Sequence, residues 1–187
     1  MRWEDLFADM EAQLAAASQQ SLEREAGEQV RAEYSRVGVA DRLRARAGDP
    51  VRVLLAGGLP LEGRVGSLGA GWVSLEDQGV EHVVPLVSVL WWERLGRGWA
   101  PHEDPVSGRL GLAHALRALA RARARVRIRL AGEGPQAVLE GTVDAVGRDF
   151  LDLALYPDDD YRRRESVTAV RTVPFHAVLC VSSLAGP

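Results

Sequence analysis

Alternating arginines form the clearest candidate binding surface in this sequence. Every second residue from Arg121 to Arg129 is an arginine. Arg121 and Arg123 fall where a helix is predicted to end, and cations there oppose the negative end of the helix dipole. Arg125, Arg127 and Arg129 alternate with apolar residues and are predicted to line the outer side of a strand. The chain has 26 acidic residues, so we favour ion pairing for these arginines, with phosphate or RNA contact as the alternative.

Aromatic and imidazole side chains give three further candidates. Trp91 and Trp92 are adjacent, and neighbouring residues of a strand point to opposite faces. One of them is therefore expected in a core, and the other outside, where the N-terminal helix or another protein would cover it. His176 is predicted on a strand beside Ala177. We favour a structural role for it, and ligand or base contact is the alternative.

The sequence contains no catalytic or metal-binding motif. It lacks the dinucleotide-binding, P-loop, zinc-protease, Cys-x-x-Cys and nucleophile-elbow patterns. One cysteine and four scattered histidines offer little for a triad or a zinc site. Asp158 to Asp160 precede three arginines, and we favour a solvated, self-neutralising loop over a hard-cation site. We predict no catalytic residue, no metal and no cofactor, and we expect that the chain is not an enzyme.

Composition narrows the function classes further. The 187 residues are 47% hydrophobic and 26% charged, which is typical of a globular protein. The chain has no lysine, no asparagine and a single isoleucine, so all 23 basic residues are arginine. These missing residues have AT-rich codons, which indicates a GC-rich bacterial genome such as an actinobacterial one. A lysine nucleophile is excluded, and a net charge of −3 argues against a dedicated nucleic-acid binder.

The predicted location is the cytoplasm, without membrane association. The longest apolar stretch, Val83 to Trp92, is interrupted by Pro85 and is far shorter than the ~20 residues of a membrane helix. Acidic residues follow Met1 closely, unlike the basic start of a signal peptide. The lone Cys180 agrees with a reducing compartment.

The sequence also repeats itself. Four blocks recur in the same order, with an offset that grows from 73 to 89 residues through insertions in the second copy. The matched blocks are Arg36–Ala45 with Arg109–Ala118, Val51–Val53 with Val126–Ile128, Leu61–Gly63 with Leu139–Gly141, and Val84–Pro85 with Val173–Pro174. Such collinearity indicates an internal duplication.

Each repeat is predicted to contain a short helix followed by five strands. Alternating apolar residues mark the first strand, and Gly63 and Gly141 predict a bend or bulge in the second. Pro85 and Pro174 end the fourth strand. We predict four segments, which are an N-terminal amphipathic helix (1–35), a first barrel (36–98), a linker (99–108) and a second barrel (109–187).

The N-terminal segment is predicted as one long helix from residue 3 to about 35. Trp3, Phe7, Met10 and Leu14 recur at three- or four-residue spacing, and the pattern loosens near Ser21. Packing of this apolar stripe on the chain's own barrels is the favoured interpretation. Pairing with the helix of a second copy is the alternative.

The repeats resemble the Sm-like (Hfq/LSm-type) family. Val51 to Val89 resemble its alternating strand, glycine turn and Leu-x-Gly pattern, and Val173 to Val178 are similar to its Tyr-Lys-His-Ala-Ile motif. The motif's histidine matches His176, whereas its lysine matches Phe175. The resemblance implies two tandem five-stranded Sm-like, SH3-like barrels in a mainly β protein with helices. It also implies ring or edge-to-edge assembly. The family's RNA binding needs the lysine of that motif, and its replacement by Phe175 and, in the first repeat, by Leu86 argues against RNA binding.

The sequence leaves three functions open. The favoured one is a non-catalytic scaffold or protein-interaction module that self-associates or binds another protein. A single-stranded RNA-binding protein of the Sm/Hfq type is the alternative, and a small-molecule or nucleotide sensor with a cleft between the repeats is the third. The candidate binding surface comprises Arg125, Arg127, Arg129, His176, Trp91 and Trp92.

Overall fold

The computed structural model describes residues 10, 13, 18–20, 24–25, 27–101, 109–155 and 169–184. The chain divides into two units, Met1–Gly38 and Val39–Pro187. In the first unit the continuous described helix covers 27–34. The prediction of one long helix from residue 3 to about 35 is wrong for the described part of the chain, in which the longest continuous helix of that range is 27–34. The other described positions before residue 27 are also helical, and the remaining ones lie outside the described residues.

The described part of the second unit contains two short α-helices and ten strands. In the first repeat these are α1 (Val39–Arg44), β1 (Pro50–Leu55), β2 (Leu59–Gly69), β3 (Trp72–Asp77), β4 (Val80–Pro85) and β5 (Val89–Glu93). In the second repeat they are α2 (Leu112–Ala122), β6 (Arg125–Leu130), β7 (Val138–Val146), β8 (Phe150–Leu155), β9 (Ala169–Pro174) and β10 (Val178–Ser183). Single 3-10 turns connect β4 to β5 and β9 to β10.

All ten strands form one open antiparallel sheet. Their order is β5-β1-β2-β3-β4-β10-β6-β7-β8-β9. The predicted fold of two separate five-stranded barrels is wrong, because the fourth strand of the first repeat bonds to the fifth strand of the second and neither repeat closes on itself. Each repeat nevertheless fills five successive places in the same internal order, in agreement with the repeated blocks of the sequence.

Two hydrophobic cores lie on this sheet, and each includes residues from both repeats. Leu179 and Cys180 of β10 pack in the core of the first repeat. Trp72 and Val83 of the first repeat pack in the core of the second. Successive residues of a strand face opposite sides, so β4 and β10 can serve both cores at once. The two cores are therefore joined through the shared strands.

The duplication also preserves a close approach between two strands in each repeat. A Cβ added at Gly141 would collide with the carbonyl oxygen of Ala154, and one added at Gly63 would lie 3.0 Å from the carbonyl oxygen of Glu76. In both repeats the register between these strands then shifts, between Val65 and Leu68 and between Val143 and Ala145. The glycines allow the neighbouring strand to approach just before the bulge.

We expect Gly141→Ala to destabilise the fold by about 1–3 kcal/mol, because the methyl group forces β7 away from β8. Urea unfolding followed by circular dichroism measures the change. Gly98→Ala is the matched control, since nothing lies within 4 Å of its added Cβ, and it should change stability by less than about 0.5 kcal/mol. Equal effects at the two positions would contradict the close-approach explanation.

Candidate functional site

The arginine strand β6 lies between β10 and β7, and Glu140 forms ion pairs with two of its arginines. Nε of Arg127 lies 2.6 Å from Oε1 of Glu140, and Nη2 of Arg125 lies 3.4 Å from Oε2. All three side chains are partly exposed, and such pairs contribute at most about 1 kcal/mol. Ion pairing, the favoured interpretation from the sequence, is what the structure shows for Arg125 and Arg127.

Arg129 differs from these two arginines. It lies opposite Cys180 in the pairing of β6 with β10, and its side chain is half-buried. Its guanidinium makes no hydrogen bond or ion pair with any residue that the structure describes. Of the three arginines on β6, Arg129 is therefore the one that the described side chains leave available to a bound anion.

Polar side chains connect the two repeats where β4 meets β10. The ladder there pairs Val83 with Val181 and His82 with Ser182. Nδ1 of His82 lies 2.8 Å from Oγ of Ser182. Oγ of Ser183 accepts a hydrogen bond from the backbone N–H of Glu81 at 3.0 Å. No pattern in the sequence indicates these contacts, because they join residues about one hundred positions apart.

A second row of contacts reinforces this junction. Oγ of the buried Ser88 lies 2.7 Å from the carbonyl oxygen of Pro85 and 2.9 Å from that of Leu179. The indole N–H of Trp72 donates to the carbonyl oxygen of Leu110, just before α2, at 2.8 Å. The strand pairing, the serine and the tryptophan together fix one repeat against the other.

His176 is not on a strand, contrary to the prediction. It lies in the 3-10 turn Phe175–Ala177 between β9 and β10, and its side chain is exposed. It borders a cleft of about 460 Å³ together with the rings of Phe150 and Phe175 and the side chains of Asp149 and Thr172. The local chemistry is an imidazole beside two aromatic rings.

The two tryptophans lie on β5, at one end of the sheet. Trp92 is half-buried and packs against the first core, whereas Trp91 is 39% exposed. This division follows from the alternation of side chains along a strand. In the strand order β5 is far from β6, so the sequence-predicted site residues do not form one surface. The arginine strand, His176 and the tryptophans occupy three separate places.

Cys180 is buried in the core of the first repeat. It is 3% exposed, and burial raises its pKa to about 11, although a contact with Ser182 and the charge of Arg129 oppose this. A nucleophilic cysteine requires a depressed pKa and exposure. The burial of Cys180 therefore argues for a packing role.

The described part of the chain has neither a metal cluster nor a membrane-spanning helix. Among those residues, no group of three or more His, Cys, Asp or Glu side chains is placed to hold a metal ion. No described helix is long and apolar enough to cross a membrane. The predicted loop Asp158 to Arg164 lies outside the described residues.

Comparison of the chain with protein-family models, with curated proteins and with solved structures gave no match. The resemblance to the Sm-like family and the actinobacterial origin therefore stay predictions from the sequence.

We expect Cys180 to react with a thiol reagent at pH 8 far more slowly in the folded protein than in urea, because both burial and the raised pKa suppress the thiolate.

A folded pKa of Cys180 above the unfolded value also makes the free energy of unfolding fall as pH rises from about 9 to about 11. Unfolding of wild type and Cys180→Ala across this pH range measures the difference. Equal pH dependence in the two proteins would contradict this assignment.

Proposed function

We propose that this protein is a non-catalytic scaffold or protein-interaction module that assembles with further copies of itself, edge to edge. The observation that carries the proposal is the internal junction, where a fourth strand (β4) pairs with a fifth strand (β10). The sheet ends in the same two kinds of strand, β9 being the fourth strand of the second repeat and β5 the fifth strand of the first.

The outer strands β5 and β9 are more exposed than β10 and β4, which are their equivalents at the internal junction. At β10 the residues Val178 to Val181 are all buried, whereas at β5 the equivalent Val89 to Trp92 are half-buried or exposed. Within the part of the chain that the structure describes, β5 and β9 each pair with one strand. Uncovered strand edges carrying apolar side chains are templates for pairing with another chain.

The exposed apolar residues of β5 are those that an equivalent junction would bury. Leu179 and Cys180 pack in the core of the other repeat, and their equivalents at an offset of 89 are Leu90 and Trp91. Leu90 is 61% exposed and Trp91 is 39% exposed. Against β9 of a second copy, these side chains would occupy the place that Leu179 and Cys180 occupy within the chain.

The same offset predicts an ion pair across the new junction. The internal pair His82 and Ser182 corresponds to Arg171 on β9 and Glu93 on β5. The side chains of Arg171 and Glu93 are exposed. Oε2 of Glu93 lies 3.6 Å from Nη1 of Arg52 in its own chain. Opposite charges facing each other across a strand pair favour this register. The resulting contact is head-to-tail, the kind that produces rings or filaments.

We expect the wild-type chain to self-associate and Glu93→Arg or Arg171→Glu to weaken association by tenfold or more, because each puts like charges opposite one another. The double variant Glu93→Arg with Arg171→Glu should restore association. Light scattering after gel filtration, over a range of concentrations, measures the mass.

Glu133→Arg is the matched control for this charge reversal. Glu133 is exposed in the connection between β6 and β7, so the variant should associate like wild type. A wild-type protein that stays strictly monomeric at high concentration would refute the proposal. Failure of the double variant to recover would refute the β5–β9 register.

RNA binding is a second candidate function, favoured by the cleft at His176. Exposed bases stack on aromatic rings, and Phe150 and Phe175 line this cleft beside the imidazole. The arginine strand supports this function less, since Arg125 and Arg127 share an ion pair with Glu140.

If the cleft binds single-stranded RNA, Phe175→Ala should weaken binding of short uridine-rich oligonucleotides roughly tenfold, corresponding to about 1–3 kcal/mol of stacking. Fluorescence anisotropy at low and moderate salt measures the affinity. Arg121→Gln serves as the control for a nonspecific loss of positive charge. Absence of binding at low salt would exclude the RNA function.

A further inference from the structure

We propose that the cleft where the two repeats meet binds a small apolar carboxylate, held by Arg129 and the hydrogen-bonded pair His82–Ser182 against an aliphatic wall. The cleft has a volume of about 310 Å³. This is at the lower end of the roughly 300–1,000 Å³ of small-molecule sites. The site lies within one chain and is separate from the sheet edges proposed for assembly.

The strand pairing brings the polar side chains of this cleft onto one face of the sheet. Ser182 is paired with His82 on one side and with Arg127 on the other, and Cys180 is paired with Arg129. Residues two apart on a strand share a face, so both rows point the same way. The cleft therefore exists only when both repeats are folded against each other.

Arg129 supplies a positive charge that no described side chain neutralises. Its neighbour Arg127 is bound to Glu140, at 2.6 Å. The thiol opposite Arg129 is protonated at neutral pH, because burial raises the pKa of Cys180 to about 11. A guanidinium in such a position binds a carboxylate through two parallel hydrogen bonds.

The hydrogen-bonded pair His82 and Ser182 supplies a further donor. Burial lowers the pKa of His82 in spite of the nearby Asp77, so the imidazole is neutral at pH 7. If Ser182 donates to Nδ1, then Nε2 of His82 carries the proton, and if Nδ1 donates, the hydroxyl of Ser182 keeps its own. Either arrangement leaves one donor for an anionic oxygen.

The apolar residues and Asp77 in the lining of the cleft determine which anion fits it. Leu59, Leu61, Val80 and Leu184 are half-buried and form an aliphatic wall. Such a wall favours a ligand with a hydrocarbon body. Asp77 also lines the cleft, and its charge opposes a dianion such as phosphate more strongly than a monoanion. A monoanionic carboxylate with a short apolar chain would pair with Arg129, accept a hydrogen bond from the His82–Ser182 pair and pack on the aliphatic wall.

Calorimetric titration of the full chain with hexanoate tests the site, with hexanol, acetate and inorganic phosphate as comparison probes. Hexanoate should bind, and each comparison probe should bind at least tenfold more weakly. Arg129→Gln should weaken hexanoate binding roughly tenfold or more, through loss of the charged pair. Arg121→Gln, an exposed arginine on α2, should bind like wild type.

The outcomes separate this site from the assembly proposal. Glu93→Arg, which is designed to block assembly, should bind hexanoate unchanged, because the cleft lies within one chain. Circular dichroism checks that each variant is folded. Equal binding of hexanol and hexanoate, preferential binding of phosphate, full affinity in Arg129→Gln, or no binding of hexanoate would each overturn the proposal.

Discussion

The pairing of β4 with β10 is the interaction on which the rest of the structure depends. It spans only two residue pairs in the ladder, yet it converts two five-stranded halves into one sheet. Because side chains alternate along both strands, this pairing also places Val83 in one core and Leu179 in the other. Loss of the pairing would therefore expose apolar surface of both repeats at the same time.

The same pairing organises the candidate functional features. It forms the cleft that contains Arg129 and His82, and it leaves β5 and β9 as the outer strands of the sheet. The two proposals use different parts of this arrangement, one the seam between the repeats and the other the two ends. The residues that the two repeats share explain their common strand order. Trp91 and Arg129, in contrast, lie at positions where the two repeats have different residues.

The sequence predicted local features well and long-range ones poorly. Alternation of apolar residues identified the strands, and the matched blocks identified the duplication. Glycine inside a strand correctly marked Gly63 and Gly141, because a bulge and a close approach are local properties. The partner of β4 was missed, since no local pattern shows whether a strand pairs within its repeat or with the other one. His82 and Ser182 were missed for the same reason.

The junction of β4 with β10 joins two parts of one chain, whereas a junction of β9 with β5 would join two separate copies. Within one chain the partner strand is always present at a high effective concentration, so this junction tolerates polar contacts such as that of His82 with Ser182. A junction of β9 with β5 depends on protein concentration and on the few apolar residues of β5. Any assembly built from such junctions contains an even number of repeats. In it, the permanent junctions within each chain would alternate with reversible junctions between chains.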